Sequence, residues 1–385
     1  MLTSIKLKDY TTFVSSTIFD FNATNYKILE ETNVGANRIL KGALFVGENA
    51  SGKTQVLDSI VLLLNLLLEN ALQNFALKKS MYTKGTKYSL SYEFNVDNNI
   101  IRYDVEFEKN SINKEQLYLN NELKINRIKN SGETCFGSEK INDDISSELS
   151  LVKLEYYNTR FNNDTILNKW FDYLKNSIYI NCFKTTIKSY NPTKESEQLL
   201  VDYAKNNDIK DLNKFINKIG YNSEIVFKKQ VSNIDETMIL NTDKEYVCIR
   251  KKGTDIALPL PLESTGNQAF MNIILPIRFA TQNDCMIIID EFSSGLHNEL
   301  EEALIRYFFN NSNNSQIFFT SHSTNLLDTS IIRPDQVYSF KFTPEQGTVI
   351  KRVSDENPRE SQNMEKMYLN GVFDGMPKYN KEFKD

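Results

Sequence analysis

The 385-residue sequence predicts an α/β protein with a parallel sheet at its centre, and three stretches carry that expectation. The glycine loop "GENASGKT" (47–54) follows the apolar run "GALFV" and opens a long helical pattern, "KTQVLDSIVLLLNLLLENAL". A second apolar run, "CMIIID", ends on an acidic residue, Asp290. A third, "QIFFTS", follows the helical pattern "NELEEALIRYFFN". Short apolar runs alternating with helical patterns read as strands buried on both faces of a parallel sheet.

Each element follows in order. "TSIKLKDYTTFVSSTIFDF" alternates apolar with polar residues and is rich in β-branched and aromatic side chains, so it reads as one or two strands. "GALFVG" is a short strand ending in glycine, and the helix behind it gives the loop its strand–loop–helix setting. "KYSLSYEFNVDNNIIRYDVEFEK" reads as a hairpin turning at "VDNN", and "QLYLNNELKINRI" as another. Residues 129–147 are polar and read as a loop. Roughly 161–220 reads as helical, through "ILNKWFDYLKNSIYI" and "EQLLVDYAKNNDIKDLNKFINKI". Strands return at "SEIVFKKQV" and "EYVCIRKKGTDIAL", then the helix "GNQAFMNIILPIRFA" leads into the strand–helix–strand run. The hairpin "QVYSFKFTPEQGTVIKRV" and a short helix through "ESQNMEKMYLN" come last. No heptad pattern is sustained, so no long coiled coil is expected.

Composition narrows the class. Hydrophobic residues make up 40% and charged residues 25%, as in ordinary soluble domains. The net charge is -5, so no global basic field points to nucleic acid or an anionic membrane, although a local patch can exist. Cys135, Cys182, Cys248 and Cys285 are scattered with no CxxC pair, which fits a reducing cytoplasm better than disulfides or a zinc site. No apolar signal region opens the chain. The most apolar run, "IVLLLNLLL" (60–68), is far shorter than the about 20 residues that span a bilayer. A cytoplasmic protein without membrane contact is expected.

The loop fits G-x-x-x-x-G-K-[ST] at every required position. Gly47 and Gly52 allow backbone angles and approaches that a Cβ would block. The amides of Gly47, Glu48, Asn49, Ala50, Ser51 and Gly52, with Gln55 just beyond, form the candidate cradle for a nucleotide's phosphates at a helix N-terminus. Lys53 supplies a point charge to the β- and γ-oxygens, and the Thr54 hydroxyl is a magnesium ligand. Asp290 ends an apolar strand, where a carboxylate reaches the same metal. Glu291 follows it, placed to polarise water as a general base. His322 follows "QIFFTS" at another strand end, the place for a γ-phosphate sensor. His297 lies just before a helix, where a direct role and a plain polar helix start are equally open. "PLESTGNQ" (261–268) offers Ser264 and Gly266 at a second helix N-terminus: either an ordinary N-cap or an anion site serving a neighbouring subunit's nucleotide.

The order of these stretches resembles the ABC-type ATPase superfamily: phosphate loop (47–54), "ESTGNQ" (263–268), "IIIDEF" (287–292), "GLH" (295–297) and "TSHS" (320–323). Within it the chain is similar to the OLD/RecF/SMC-like group. It looks most like the stand-alone AAA family ATPases of bacterial phage-defence and abortive-infection systems. The opening "IKLKDYTTF" and the closing "YLNGVFDGMP" (368–377) share in that resemblance, which covers about 1–127 and 223–377. It implies an ABC-type ATPase head with a mixed sheet and a parallel P-loop core, plus a helical insertion. The expected lobes are 1–128 and 223–385, with the insertion at 129–222. It implies ATP and Mg2+ as cofactors. It also implies a head-to-tail homodimer or higher homo-oligomer, in which Ser264 and Gly266 of one copy complete the site of Lys53, Thr54, Asp290, Glu291 and His322 in the other. The signature is not LSGGQ, Gln116 and Gln198 are the poor choices for the family's Q-loop glutamine, and no acidic nuclease cluster follows the motifs. A separately encoded effector, such as a nuclease, is therefore the expected partner. A RecF-like clamp on DNA is the alternative, needing a basic surface around Lys124–Lys129 or Arg250–Lys252. A low-turnover nucleotide-dependent scaffold is another.

Overall fold

The computed structural model describes residues 1–70, 74–136, 138–191, 209–228 and 246–376. Period-two patterning builds its first sheet. β1 (Leu2–Lys8) and β2 (Thr17–Asp20) pair with each other. The chain rejoins them with β4 (Lys87–Val96), β5 (Asn99–Glu108), β6 (Ser111–Leu119), β7 (Glu122–Ile128), β8 (Ser131–Phe136) and β9 (Ser138–Asn142), in the order β2-β1-β4-β5-β6-β7-β8-β9. Tyr88, Leu90, Tyr92 and Phe94 of β4 and Ile101, Tyr103, Val105 and Phe107 of β5 are buried, while the residues between them face outward. The hairpins turn on Asp97–Asn98 and Asn120–Asn121, whose φ angles of 49°, 64°, 50° and 66° are those a two-residue I′ turn requires.

The second sheet carries the loop. β3 (Gly42–Gly47), β10 (Ile178–Asn181), β15 (Met286–Asp290), β16 (Gln316–Thr320) and β17 (Val337–Thr343) run parallel in the order β10-β15-β16-β3-β17. β11 (Thr186–Ser189) and β18 (Gly347–Arg352) are its antiparallel edges. Phe45, Ile288 and Phe318 face one core, and Leu44, Val46, Ile287, Ile289, Ile317 and Phe319 the other. Burial on both faces is why these runs are continuously apolar. After the single turn α1 (Glu30–Asn33), α2 (Lys53–Leu68) fills the space between the two sheets, with Val56, Leu57, Ile60 and Leu64 in the core and the Tyr92 hydroxyl donating to the Ser59 carbonyl at 2.6 Å. α3 (Leu151–Thr159) and α4 (Thr165–Lys175) complete that core. α5 (Ile209–Lys218), α6 (Thr265–Ala280) and α7 (Asn298–Asn311) cover the opposite face. A small sheet, β12 (Ser223–Lys228), β13 (Tyr246–Lys251) and β14 (Ala257–Pro259), precedes α6, and α8 (Met364–Leu369) follows the last strand.

Three sequence expectations are corrected. Residues 129–147 are not a loop, because β8 and β9 extend the first sheet. Nor is 129–222 a helical unit, since it also supplies β10 and β11 to the central sheet. "NSIYI" is not the tail of a helix: α4 stops at Lys175 and Ile178–Asn181 pairs with β15. Much of the helical pattern before "DIKDL" lies outside the described residues, and α5 is what they show of it.

A buried ionic latch joins the first sheet to α3. Arg127 and Glu115 are both fully buried. Arg127 donates to the carbonyls of Lys129 (2.6 Å), Ser146 (2.8 Å) and Leu149. Glu115 accepts from the Tyr103 hydroxyl at 2.8 Å, from the Leu151 amide at 2.8 Å and from the Ser150 hydroxyl. Removing one partner strands a buried charge, so Arg127→Ala should cost about 3–5 kcal/mol of stability. The expected readout is a lower urea midpoint with an unchanged slope.

Candidate functional site

The parallel strands β3, β15 and β16 end side by side, so the residues just beyond them converge. The loop after β3 is shaped by close approaches. At Gly47 (φ 148°) a Cβ would lie 2.4 Å from the Phe340 carbonyl oxygen, and at Gly52 (φ 107°) 2.6 Å from the Thr348 hydroxyl. Only glycine fits both places without displacing neighbours. Glu48 holds the loop's flank by accepting from the Phe342 amide at 3.3 Å. Asn49 and Ala50 form its exposed tip, with Ala50 at φ 60°. Ser51 is fully buried and donates to the Glu48 carbonyl at 2.8 Å.

Lys53 opens α2 and is 6% exposed. Its Nζ donates to the carbonyls of Gly47 (2.9 Å) and Glu48 (2.8 Å). Burial pushes its pKa down, while Glu291, Asp290 and Glu48 oppose that shift by their negative charge. The Thr54 hydroxyl donates to Asp290 Oδ1 at 3.0 Å, tying the start of α2 to the end of β15. Asp290 is 3% exposed, and Thr320 (2.8 Å, to Oδ1) and Asn181 (3.1 Å, to Oδ2) also donate to it. Burial raises its pKa, and the two hydroxyl donors work against that.

Glu291 answers how a residue next to Asp290 reaches the same side. Its φ is 58°, a left-handed turn that costs a non-glycine residue about 1–3 kcal/mol and is held by surrounding contacts. Its amide donates to the Thr320 hydroxyl at 2.8 Å. Its Oε2 lies 3.4 Å from His322 Nε2. The histidine beside it holds the Glu291 carboxyl below the usual range, so at neutral pH it is a carboxylate, the form a base requires. The His322 amide donates to Ser293 Oγ at 3.2 Å.

Other residues frame the loop; the sequence reading placed Gln55 at the cradle but missed its partners Thr11 and Thr12, and missed Thr348 and Asn181. Gln55 accepts from the Thr11 hydroxyl at 2.7 Å, the Thr12 amide at 3.1 Å and the Thr12 hydroxyl. The Thr348 hydroxyl donates to the Ser51 carbonyl at 2.8 Å. Asn181 at the end of β10 stands beside Asp290 in register. Reading that strand as a helix hid it. Gln116, by contrast, lies on the outer face of the first sheet, donates to Asn126 at 3.0 Å, and makes no bond to the loop. Gln198 lies outside the described residues.

The second helix start is elsewhere on the surface. Ser264 is the N-cap of α6, accepting from the Asn267 amide at 3.3 Å, and it is exposed. Gly266 faces the Gly295 carbonyl, where a Cβ would sit at 3.2 Å. Glu263 Oε2 accepts from Asn267 Nδ2 at 2.7 Å, and the Gln268 side chain donates to the Glu263 carbonyl at 2.8 Å. None of these bonds reaches the phosphate loop of the same chain. His297 is the N-cap of α7, accepting from the Glu299 amide at 3.4 Å, which is the plain helix-start role.

The oxygen donors at Thr54 and Asp290 suit magnesium, which takes one or two carboxylates and completes its shell with water and substrate phosphates. Among the described residues no cluster of three or more His, Cys, Asp or Glu could hold a metal by itself, and a nucleotide-borne ion needs none.

Fold and loop together define an α/β P-loop domain. The profile described as "AAA domain, putative AbiEii toxin, Type IV TA system" matches residues 43–328, and the chain belongs to that family. An SMC head bound to the C-terminal winged-helix domain of ScpA shares the fold at TM-score 0.53 and 11% identity, over 92% of this chain and 99% of that one. The SMC head domain from Thermotoga maritima aligns over 91% of this chain and 98% of its own, with 15% identity and a TM-score of 0.49. No curated protein matches the chain. Among the described residues no helix is long and apolar enough to cross a membrane.

Proposed function

We propose that the protein binds and hydrolyses ATP with Mg2+ at two sites shared between two copies packed head to tail. One observation carries the reading. Lys53, Thr54, Asp290, Glu291 and His322 converge at the sheet's edge, while the exposed Ser264 makes no bond to that cluster in its own chain. The loop amides and Lys53 would hold the triphosphate. Thr54 and Asp290 would hold Mg2+, which supplies charge neutralisation at the phosphate oxygens. The Glu291 carboxylate would accept a proton from the attacking water, and His322 would orient Glu291 and contact the γ-phosphate. Ser264 and the helix start at Gly266 would close over the triphosphate from the twin.

The family's toxin–antitoxin and abortive-infection setting supports a regulatory or sensing role in phage defence, with a separately encoded effector such as a nuclease. The DNA-clamp alternative keeps only part of the surface it needs, the exposed Lys129, Lys251 and Lys252. Arg127 is buried in the ionic latch, Lys124 pairs with Glu122 at 2.9 Å, and Arg250 pairs with Glu224 at 2.7 Å. The scaffold alternative does not need a carboxylate held ionised beside a histidine. Phosphate release from Mg-ATP, measured beside light-scattering mass with and without a non-hydrolysable analogue, tests the reading. Turnover together with an analogue-induced dimer supports it, and a monomer at every nucleotide concentration would sink it.

A further inference from the structure

We propose that Glu301, a residue of α7 outside the nucleotide cluster, is a positioning residue that sets His322 against Glu291 by holding the turn after β16 through Ser323. The inference rests on the hydrolytic reading for its consequence, but not for its structural test.

Glu301 lies in the first turn of α7 and is fully buried. The Ser323 hydroxyl donates to its Oε1 at 3.1 Å. Ser323 is the residue after His322, and its amide is held in turn by the Ser321 hydroxyl at 3.0 Å. The next residue of the helix helps, since Glu302 Oε1 accepts from Asn325 Nδ2 at 3.3 Å. So α7 grips the turn on the far side of His322 from Glu291, and Ser293, ahead of the same helix, grips the His322 amide. The carboxyl is an expensive choice for a spacer. Its Oε2 is buried with no hydrogen-bond partner among the described residues, a situation that disfavours the charged form. Burial pushes its pKa up to about 7, with the Glu302 charge adding to the rise and the Ser323 bond opposing it.

The groups around it do not neutralise it. Cys182 after β10 is a buried thiol whose own pKa is pushed up to about 12. On α6, Arg278 donates to the Tyr307 hydroxyl. On α1, Glu30 pairs with Arg38, and Glu31 is exposed. Near pH 7 Glu301 therefore passes between an acid that needs one partner and a carboxylate that lacks a second one. Ionisation strengthens the Ser323 bond and leaves Oε2 as an unpaired buried charge, so it resets the turn and moves His322.

The chain has only two histidines, His297 and His322, so their ring resonances in the full-length protein can be followed by NMR without overlap. Three proteins are compared: wild type, Glu301→Gln and Glu301→Ala. In wild type the His322 resonance should show an extra inflection near the Glu301 pKa of about 7, absent in Glu301→Gln. Glu301→Ala should shift His322 at every pH. Melting gives a second readout. A folded-state pKa raised above its ordinary value means stability is full at acid pH and lost as pH rises through about 7. Glu301→Gln should therefore match wild type in acid and melt higher at alkaline pH. In turnover, Glu301→Ala should lower kcat about tenfold, the scale of one lost hydrogen bond, with KM for ATP unchanged. An unmoved His322 in folded Glu301→Ala, or identical wild-type and Glu301→Gln profiles, overturns the proposal. If wild type shows the His322 inflection but no turnover, the positioning stands and the hydrolytic reading falls instead.

Discussion

Glu291→Gln should slow ATP hydrolysis by about 10²-fold or more while ATP still binds. The substitution keeps the shape of the side chain and its place at the left-handed turn, where the main-chain amide is held by Thr320. It removes the carboxylate that His322 keeps ionised, and with it the proposed proton acceptor. Binding groups on the loop and at Asp290 are untouched. With hydrolysis blocked, the proposed sandwiched dimer would lose its route to ADP and should accumulate. Single-turnover phosphate release gives the rate, and gel filtration in Mg-ATP gives the assembly. A variant that hydrolyses at the wild-type rate would remove Glu291 from the chemistry.

Lys53→Ala should weaken ATP binding by about 10- to 100-fold, the worth of a charge-assisted hydrogen bond to phosphate. The ammonium is nearly sealed off and is the cation facing Asp290, Glu291 and Glu48. Its loss removes attraction for the triphosphate and leaves those acids to repel it. Calorimetric titration with ATP and with ADP reads the effect, and a thermal melt confirms that the variant is folded. Wild-type affinity in a folded Lys53→Ala protein would place the phosphates away from this loop.

Much of this site is legible in one dimension, because a phosphate loop is local. Its glycines, lysine and threonine lie within eight consecutive positions, and the strand and helix on either side are strongly patterned. Asp290, Glu291 and His322 are legible because buried parallel strands deliver their next residues to one edge. Asn181 is not, because β10 has four residues and follows a helix directly, so periodicity merges the two. β8 and β9 are missed because they are outer strands with weak alternation. The threonines that brace the loop, Thr12 and Thr348, come from distant segments, and no local pattern marks them. Arg127 shows the reverse failure: in sequence it belongs to a basic stretch, and in the fold its partners turn it inward.

Whether each nucleotide is shared between two copies is settled most directly by mixing two variants expected to be inactive at limiting ATP, Lys53→Ala and Ser264→Arg. Each carries one broken half in both of its sites. In a mixed dimer one site receives both broken halves and the other receives an intact loop and an intact serine turn. Hydrolysis in the mixture well above that of either parent is the predicted result. A mixture as inactive as its parents, under conditions where mixed dimers are shown to form, would contradict it.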